Sequence, residues 1–147
     1  MANRDTFQRG APRQRHHRTG ASHGARPRSA GKAFKALLAR EGIDVPIPTD
    51  VLAYLRSHRR LATLVPQVCS QARKEFGPDA ELILKLYRDP EIKDRHLSLY
   101  VRLRAYDDTV LQRMDRVSAH FADELCSASG FLVITTDLRP ARVRNGV

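Results

Sequence analysis

The chain has no strongly apolar run longer than Phe131-Leu132-Val133-Ile134. A bilayer-crossing helix needs roughly 20 such residues, so no membrane span is expected. The N-terminal stretch also lacks the apolar core of a secretory signal. Cysteine is scarce: Cys69 and Cys126 stand far apart and no CxxC pair occurs. That excludes a disulfide framework and a cysteine-based zinc site. Both sit in helical patterns beside apolar neighbours, so they read as reduced, mostly buried thiols of a cytoplasmic protein. No P-loop, GxGxxG, GxSxG or HExxH string is present, so phosphate-cradling, dinucleotide-binding, nucleophile-elbow and zinc-protease chemistry have no signature here. No catalytic residue, cofactor site or metal site can be named from the sequence. His16, His17 and His23 read as a solvated cluster, and His58, His96 and His120 are scattered.

What the chain does have is positive charge, with 26 basic against 16 acidic residues and a net charge of +10. It is unevenly spread. Residues 1–31 carry Arg4, Arg9, Arg13, Arg15, Arg18, Arg26 and Arg28 against Asp5 alone, a local charge of +6. The same stretch is rich in Gly, Pro and Ser, and Phe7 is its one large apolar side chain after Met1. It cannot bury enough surface to offset its ordering entropy, which predicts a disordered basic arm. Such an arm attracts RNA, DNA, an anionic membrane or an acidic protein, in each case salt-dependently.

The remaining 116 residues suffice for one domain with a core of its own. Order is expected over residues 32–139, followed by a frayed tail at 140–147. Phe34, Leu37 and Leu38 mark a short helix that Gly42 ends, and Pro46-Ile47-Pro48 reads as an extended connector. Thr49 or Asp50 is placed to cap a second helix, and Pro66 to break or kink it and start a third, which Gly77-Pro78 stops. Residues 81–88 and 96–104 alternate as two strands of an antiparallel hairpin. Leu82, Leu84, Leu86, Leu97, Leu99 and Val101 lie on one face; Lys85, Tyr87, Ser98, Tyr100 and Arg102 lie on the other. Asp107 or Asp108 caps one long amphipathic helix through Val110, Leu111, Met114, Val117, Phe121 and Leu125, with Gly130 as terminator. Phe131–Thr136 is a third strand whose continuous apolar character suggests a central place. Its connection from the second strand should be parallel and right-handed. The expected fold is α+β: a three-stranded mixed sheet with helices on one face.

The stretches Leu86-Tyr87-Arg88-Asp89-Pro90-Glu91, Leu97-Ser98-Leu99-Tyr100-Val101-Arg102, Tyr106-Asp107 and Gly130-Phe131-Leu132-Val133-Ile134-Thr135-Thr136-Asp137 resemble a group of short bacterial proteins of uncharacterised function. The resemblance spans roughly residues 48–139. It implies a bacterial origin and an autonomous α+β domain, and it carries no activity with it.

Four sets of residues are candidates for contact with a partner. The arm arginines suit phosphate or carboxylate. Lys85, Tyr87, Tyr100 and Arg102 would form a basic, aromatic sheet face of the kind that stacks single-stranded bases, although a solvated or helix-covered face is the commoner use of such residues. Arg88, Asp89 and Glu91 form a rigid charged loop, for which hairpin-turn chemistry is the simpler account. Asp137 and Arg139 follow the third strand, where ligands often gather in open sheets; a salt bridge or turn cap is the simpler role. Taken together, these features favour a small non-catalytic bacterial accessory or protein-interaction module, antitoxin- or adaptor-like, whose partner is another protein, an acidic one being suited to its charge. The alternative is a nucleic-acid-associated protein whose arm grips phosphates. An enzyme with an unrecognised site comes third.

Overall fold

A computed structural model describes the backbone of residues 27–143 and the side chains of residues 31–143. The described chain forms α1 (Pro27–Arg40), β1 (Ile43–Asp44), α2 (Pro48–Ser57), α3 (Arg59–Phe76), β2 (Glu81–Arg88), β3 (Arg95–Arg102), α4 (Val110–His120), α5 (Ala122–Ser127) and β4 (Leu132–Thr135). The α+β class is as expected, but the sheet has four strands rather than three, in the order β1-β2-β3-β4. β1 escaped the sequence reading because two residues carry no alternation. Ile43 and Asp44 pair in parallel with Leu82 and Ile83. Helical structure starts at Pro27, ahead of the boundary placed at residues 31/32. The chain beyond the predicted end at residue 139 is anchored: Ala141 donates its N–H to the Leu103 carbonyl at 3.0 Å, and Arg142 donates its own to the Glu81 carboxylate at 3.0 Å.

The hairpin register is the one the alternation requires. Leu82 faces Val101, Leu84 faces Leu99 and Leu86 faces Leu97. These leucines meet one helical layer. Val51 and Leu55 of α2, Leu61, Val65, Val68, Cys69, Ala72 and Phe76 of α3, and Val110, Met114, Val117 and Phe121 share a single core with them. Burial of that apolar stripe explains why Pro66 does not break α3, contrary to the expectation. A proline's missing donor and steric clash cost about 3 kcal/mol in a helix interior, and a side chain such as Val65 or Leu61, fully buried, returns roughly 1.5–3 kcal/mol. The chain breaks earlier, at His58, whose φ is −131°. The His58 Nδ1 donates to the Tyr54 carbonyl at 2.8 Å, and the two rings stack with centroids 4.2 Å apart. Neither Thr49 nor Asp50 caps α2, which begins with Pro48 at its first position. Asp50 pairs with Arg88 instead, at 3.2 Å.

The long helix is two, separated at Phe121, which leaves the helical region (φ −117°, ψ 15°) as its ring enters the core. Leu111, assigned to the apolar stripe, is exposed. Asp107 holds the turn ahead of α4 rather than the helix itself, accepting from the Thr109 N–H at 2.9 Å and hydroxyl at 2.6 Å. β4 is parallel to β3 as expected, yet it lies at the sheet edge and is only half-buried. Its apolar run is continuous because Leu132 and Ile134 face the core while Phe131 and Val133 face outward. Cys126 is exposed, against expectation; Cys69 is buried, and that burial pushes its thiol up to about 12.

The strand directions carry a further consequence. The crossovers β1-α2-α3-β2 and β3-α4-α5-β4 both lie over the leucine face, and both step the same way across the sheet. Because β3 runs opposite to β2, the two crossovers have opposite hands. Parallel crossovers are right-handed in about 98% of cases, so one of these two belongs to the rare class.

Candidate interaction surface

Pairing across β2, β3 and β4 arranges the sheet face turned away from the helices in four rows. Tyr87, His96 and Phe131 form the row nearest the hairpin loop, since Tyr87 is opposite His96 and the next residue, Leu97, takes the Phe131 carbonyl at 2.9 Å. Lys85, Ser98 and Val133 follow, then Ile83, Tyr100 and Thr135, with Asp44 of β1 beside Ile83. The last row is Glu81, Arg102 and Asp137.

The two ends of this face differ in kind. At the far end the Arg102 side chain is 7% exposed. It holds Asp137 by a forked pair of bonds, Nε to Oδ1 at 3.0 Å and Nη2 to Oδ2 at 2.7 Å, and meets Glu81 at 3.7 Å. The Arg102 hydrogen bond is the main reason the Asp137 carboxyl falls to about 2; the Arg139 backbone N–H, at 3.2 Å, adds to it. Two carboxylates therefore neutralise Arg102, and it is not the free cation the sequence reading made it. The far end is also covered, because Arg142 reaches Glu81 through both its backbone N–H and its guanidinium. Asp137 has the structural role that was the simpler reading, as salt-bridge partner and turn acceptor. The Arg139 guanidinium lies 3.8 Å from Asp137, largely in solvent.

The near end is open. Phe131 is 68% exposed, Val133 43% and Tyr87 40%. Lys85 stands 5.7 Å from the Tyr100 ring centre and has no carboxylate partner among the described residues. Tyr87 packs on His96 with ring centres 4.9 Å apart. No helix among the described residues covers this half. Of the four residues assigned to a basic aromatic face, three meet there: Lys85, Tyr87 and Tyr100. Phe131 and Val133 fall outside the predicted face because a continuous apolar run suggests a central strand; their odd-number spacing is the signal that places them on it.

Phe131 is held from behind. The buried Tyr54 hydroxyl accepts the Phe131 N–H at 3.1 Å and donates to the Arg95 carbonyl at 3.2 Å, tying α2 to the starts of β3 and β4. Gly130 is needed at this point rather than as a helix terminator: its φ is +81°, and a Cβ there would lie 2.6 Å from the His58 ring. In the hairpin loop the Asp89 carboxylate accepts from the backbone N–H groups of Glu91 at 2.8 Å and Ile92 at 3.2 Å. That is turn chemistry, and Arg88 is engaged with Asp50. Arg4, Arg9, Arg13, Arg15, Arg18 and Arg26 lie outside the described residues; Arg28 is the second residue of α1.

A further residue without a sequence signal is Arg73. Its guanidinium donates to the carbonyls of Glu41, Gly42, Gly77 and Ala80 at 2.7–3.0 Å, clamping the ends of α1 and α3 to the start of β2. Among the described residues no three His, Cys, Asp or Glu side chains converge as a metal would require, and no helix is long and apolar enough to cross a membrane. No protein-family model matches the chain, and no curated protein or solved structure is significantly similar to it.

Proposed function

We propose that this protein is a small, non-catalytic interaction module that presents the near half of its open sheet face to another protein. The observation behind this reading is that Phe131 and Val133 are exposed side by side on β4, with Tyr87 exposed at the far side of His96 in the same row. Folding gains nothing from leaving such side chains in water, and contiguous exposed apolar patches commonly mark binding sites. Lys85, without a carboxylate partner among the described residues, gives this patch a positive centre. The partner surface suited to it is apolar with an acidic rim. The bacterial, adaptor-like setting suggested by the sequence fits a module of this size.

The test is affinity capture from the native cell with wild type, with Phe131→Asp/Val133→Asp, and with Ile47→Asp as an exposed-site control. A protein retained by wild type and the control, but lost from the face variant at an unchanged melting temperature, supports the reading. Retention by all three refutes it. A second reading, nucleic-acid association, is favoured by the seven arm arginines and by aromatic rings beside Lys85. Capture of nucleic acid alone, abolished by nuclease, would select that reading instead.

A further inference from the structure

The outer edge of β4 lacks the features that close such an edge. β4 is the last strand of the sheet, and its sequence Leu132-Val133-Ile134-Thr135 carries neither charge nor proline. An exposed edge offers a row of unpaired N–H and C=O groups to any further strand, and native sheets blunt it with lysine, proline or a covering segment. The Phe131 carbonyl faces β3, where it accepts from Leu97. By the alternation of a parallel ladder, the groups of Val133 and Thr135 face β3 too, so those of Leu132 and Ile134 point outward.

A groove of about 510 Å³ runs beside this edge, between β4 and the first turns of α4. Leu111, Ile134 and Leu138 line it, and Asp107, Asp108 and Asp115 stand on its rim. Leu111 and Leu138 are each more than 60% exposed. Leu138 is also the one non-glycine among the described residues with a positive φ, 57°. Left-handed backbone is unfavourable for any residue with a Cβ, and here it is held on three sides. The Thr136 hydroxyl accepts the Leu138 N–H at 3.1 Å, the Asp137 carboxylate accepts the Arg139 N–H at 3.2 Å, and the Tyr106 hydroxyl donates to the Arg139 carbonyl at 2.6 Å. This strained turn sets an apolar side chain at the groove without burying it, a combination that folding alone does not reward.

The groove is also selective in charge. No basic side chain among the described residues lines it, although the chain carries a net charge of +10. Asp108 and Asp115 form no ion pair among the described residues, whereas Asp50, Glu75, Asp79, Glu81 and Asp137 each have a cationic partner. The side chains suited to such walls have an apolar stem and a cationic head, so that the stem lies along the leucines and the head reaches the carboxylates. A second copy does not fit, because pairing two β4 edges would bring two acidic rims together. We infer that the edge and groove take an extended cationic segment of another protein, added to β4 as an antiparallel fifth strand with alternate Arg or Lys side chains in the groove. Antiparallel is the more stable pairing, and a residue directly opposite Leu132 or Ile134 then exchanges both its hydrogen bonds with β4. Its side chain shares the face of Leu132 and Ile134, so the cationic residues are the ones bonded to the edge. This site lies on the opposite side of the sheet from Phe131 and Val133 and is separate from the contact face they form.

The experiment titrates the isotope-labelled full chain with an acetylated, amidated heptapeptide that alternates threonine and arginine, with threonine at both ends. The expected result is that amide signals of residues 108–115 and 132–136 shift together. The Leu132 and Ile134 amides, quick to exchange with water in the free chain, become protected. N-methylating the central arginine should abolish binding, whereas N-methylating a threonine beside it, whose N–H faces solvent, should not. Asp108→Asn/Asp115→Asn should weaken binding about fivefold with amide dispersion unchanged. Absence of binding, shifts centred on residues 83–87 and 96–100, or binding indifferent to the methylated arginine or to the two asparagines overturns the proposal. So does protection of Leu132 and Ile134 before any peptide is added, which would mean that this chain's own arm or a second copy already fills the edge.

Discussion

Gly130→Ala tests the packing behind Phe131. Two independent costs meet at this position. A φ of +81° is left-handed backbone, which costs an L-residue roughly 1–2 kcal/mol. The added Cβ would also lie 2.6 and 2.8 Å from two His58 ring carbons and 2.9 Å from the Tyr54 hydroxyl. His58 cannot retreat freely, because its ring is stacked on Tyr54 and its Nδ1 is bonded to the Tyr54 carbonyl. Overpacking of this kind costs about 1–3 kcal/mol. The expected total is therefore about 2–5 kcal/mol, a large share of the roughly 5–15 kcal/mol that holds a domain together. Gly77→Ala is a comparison without steric crowding: φ is +78° with ψ −179°, and nothing lies within 4 Å of the added Cβ, so backbone strain alone, about 1–3 kcal/mol, is expected. His58→Ala removes two of the three crowding atoms. In a double-mutant cycle read by denaturant midpoints at constant slope, the cost of Gly130→Ala should therefore be smaller in the His58→Ala background than in wild type, by about 1 kcal/mol or more. Strict additivity of the two substitutions would refute the steric account.

Leu99→Asp and Phe121→Asp should each abolish cooperative folding, because both side chains are buried and an unpaired buried charge costs several kcal/mol; a melt within a few degrees of wild type would show the faces to be misassigned. Asp137 should make stability fall in acid. Its carboxyl drops from an ordinary 3.8 to about 2 on folding, so its contribution, about 2 kcal/mol, is complete above pH 4 and disappears as pH falls through 2. Asp137→Asn should remove that part of the slope, and parallel wild-type and variant curves between pH 5 and 2 would deny it. The arginine arm should bind single-stranded oligonucleotides weakly and without sequence preference. If about five arginines engage, log K falls with log salt at a slope near −3 to −4. Replacing Arg9, Arg13, Arg15 and Arg18 by glutamine should lower both affinity and slope, and unchanged titrations would place the anion site on the folded domain.

The hairpin was legible because its leucines alternate over two full strands, and period-2 burial of one face leaves little freedom in register. β1 was not, since two residues beside a Pro-rich connector show no period. Pro66 and His58 were read in the wrong order of importance: proline is the stronger local signal, but the continuous burial of Leu61, Val65, Val68 and Ala72 outweighs it, while the break at His58 depends on a contact with Tyr54. The candidate face was legible in its β2 and β3 members and misread in its charge. Arg102 looks like an exposed cation until Glu81 and Asp137, far away in sequence, come to lie beside it. The four carbonyls gathered by Arg73 come from segments whose meeting only the tertiary fold decides.

The opposite hands of the two crossovers bear on the history of the chain. Each half of the sheet is traced by a strand, two helices and a strand, an order that invites descent from a duplicated ancestral unit. Copies of one unit, however they dock, are superimposable by rotation, and rotation preserves hand. The β1-α2-α3-β2 and β3-α4-α5-β4 segments differ in hand, so no axis of internal symmetry relates them and they did not arise as two copies of one unit that kept its topology. Their shared order of elements is instead two mirror-related ways of covering one face of a small sheet.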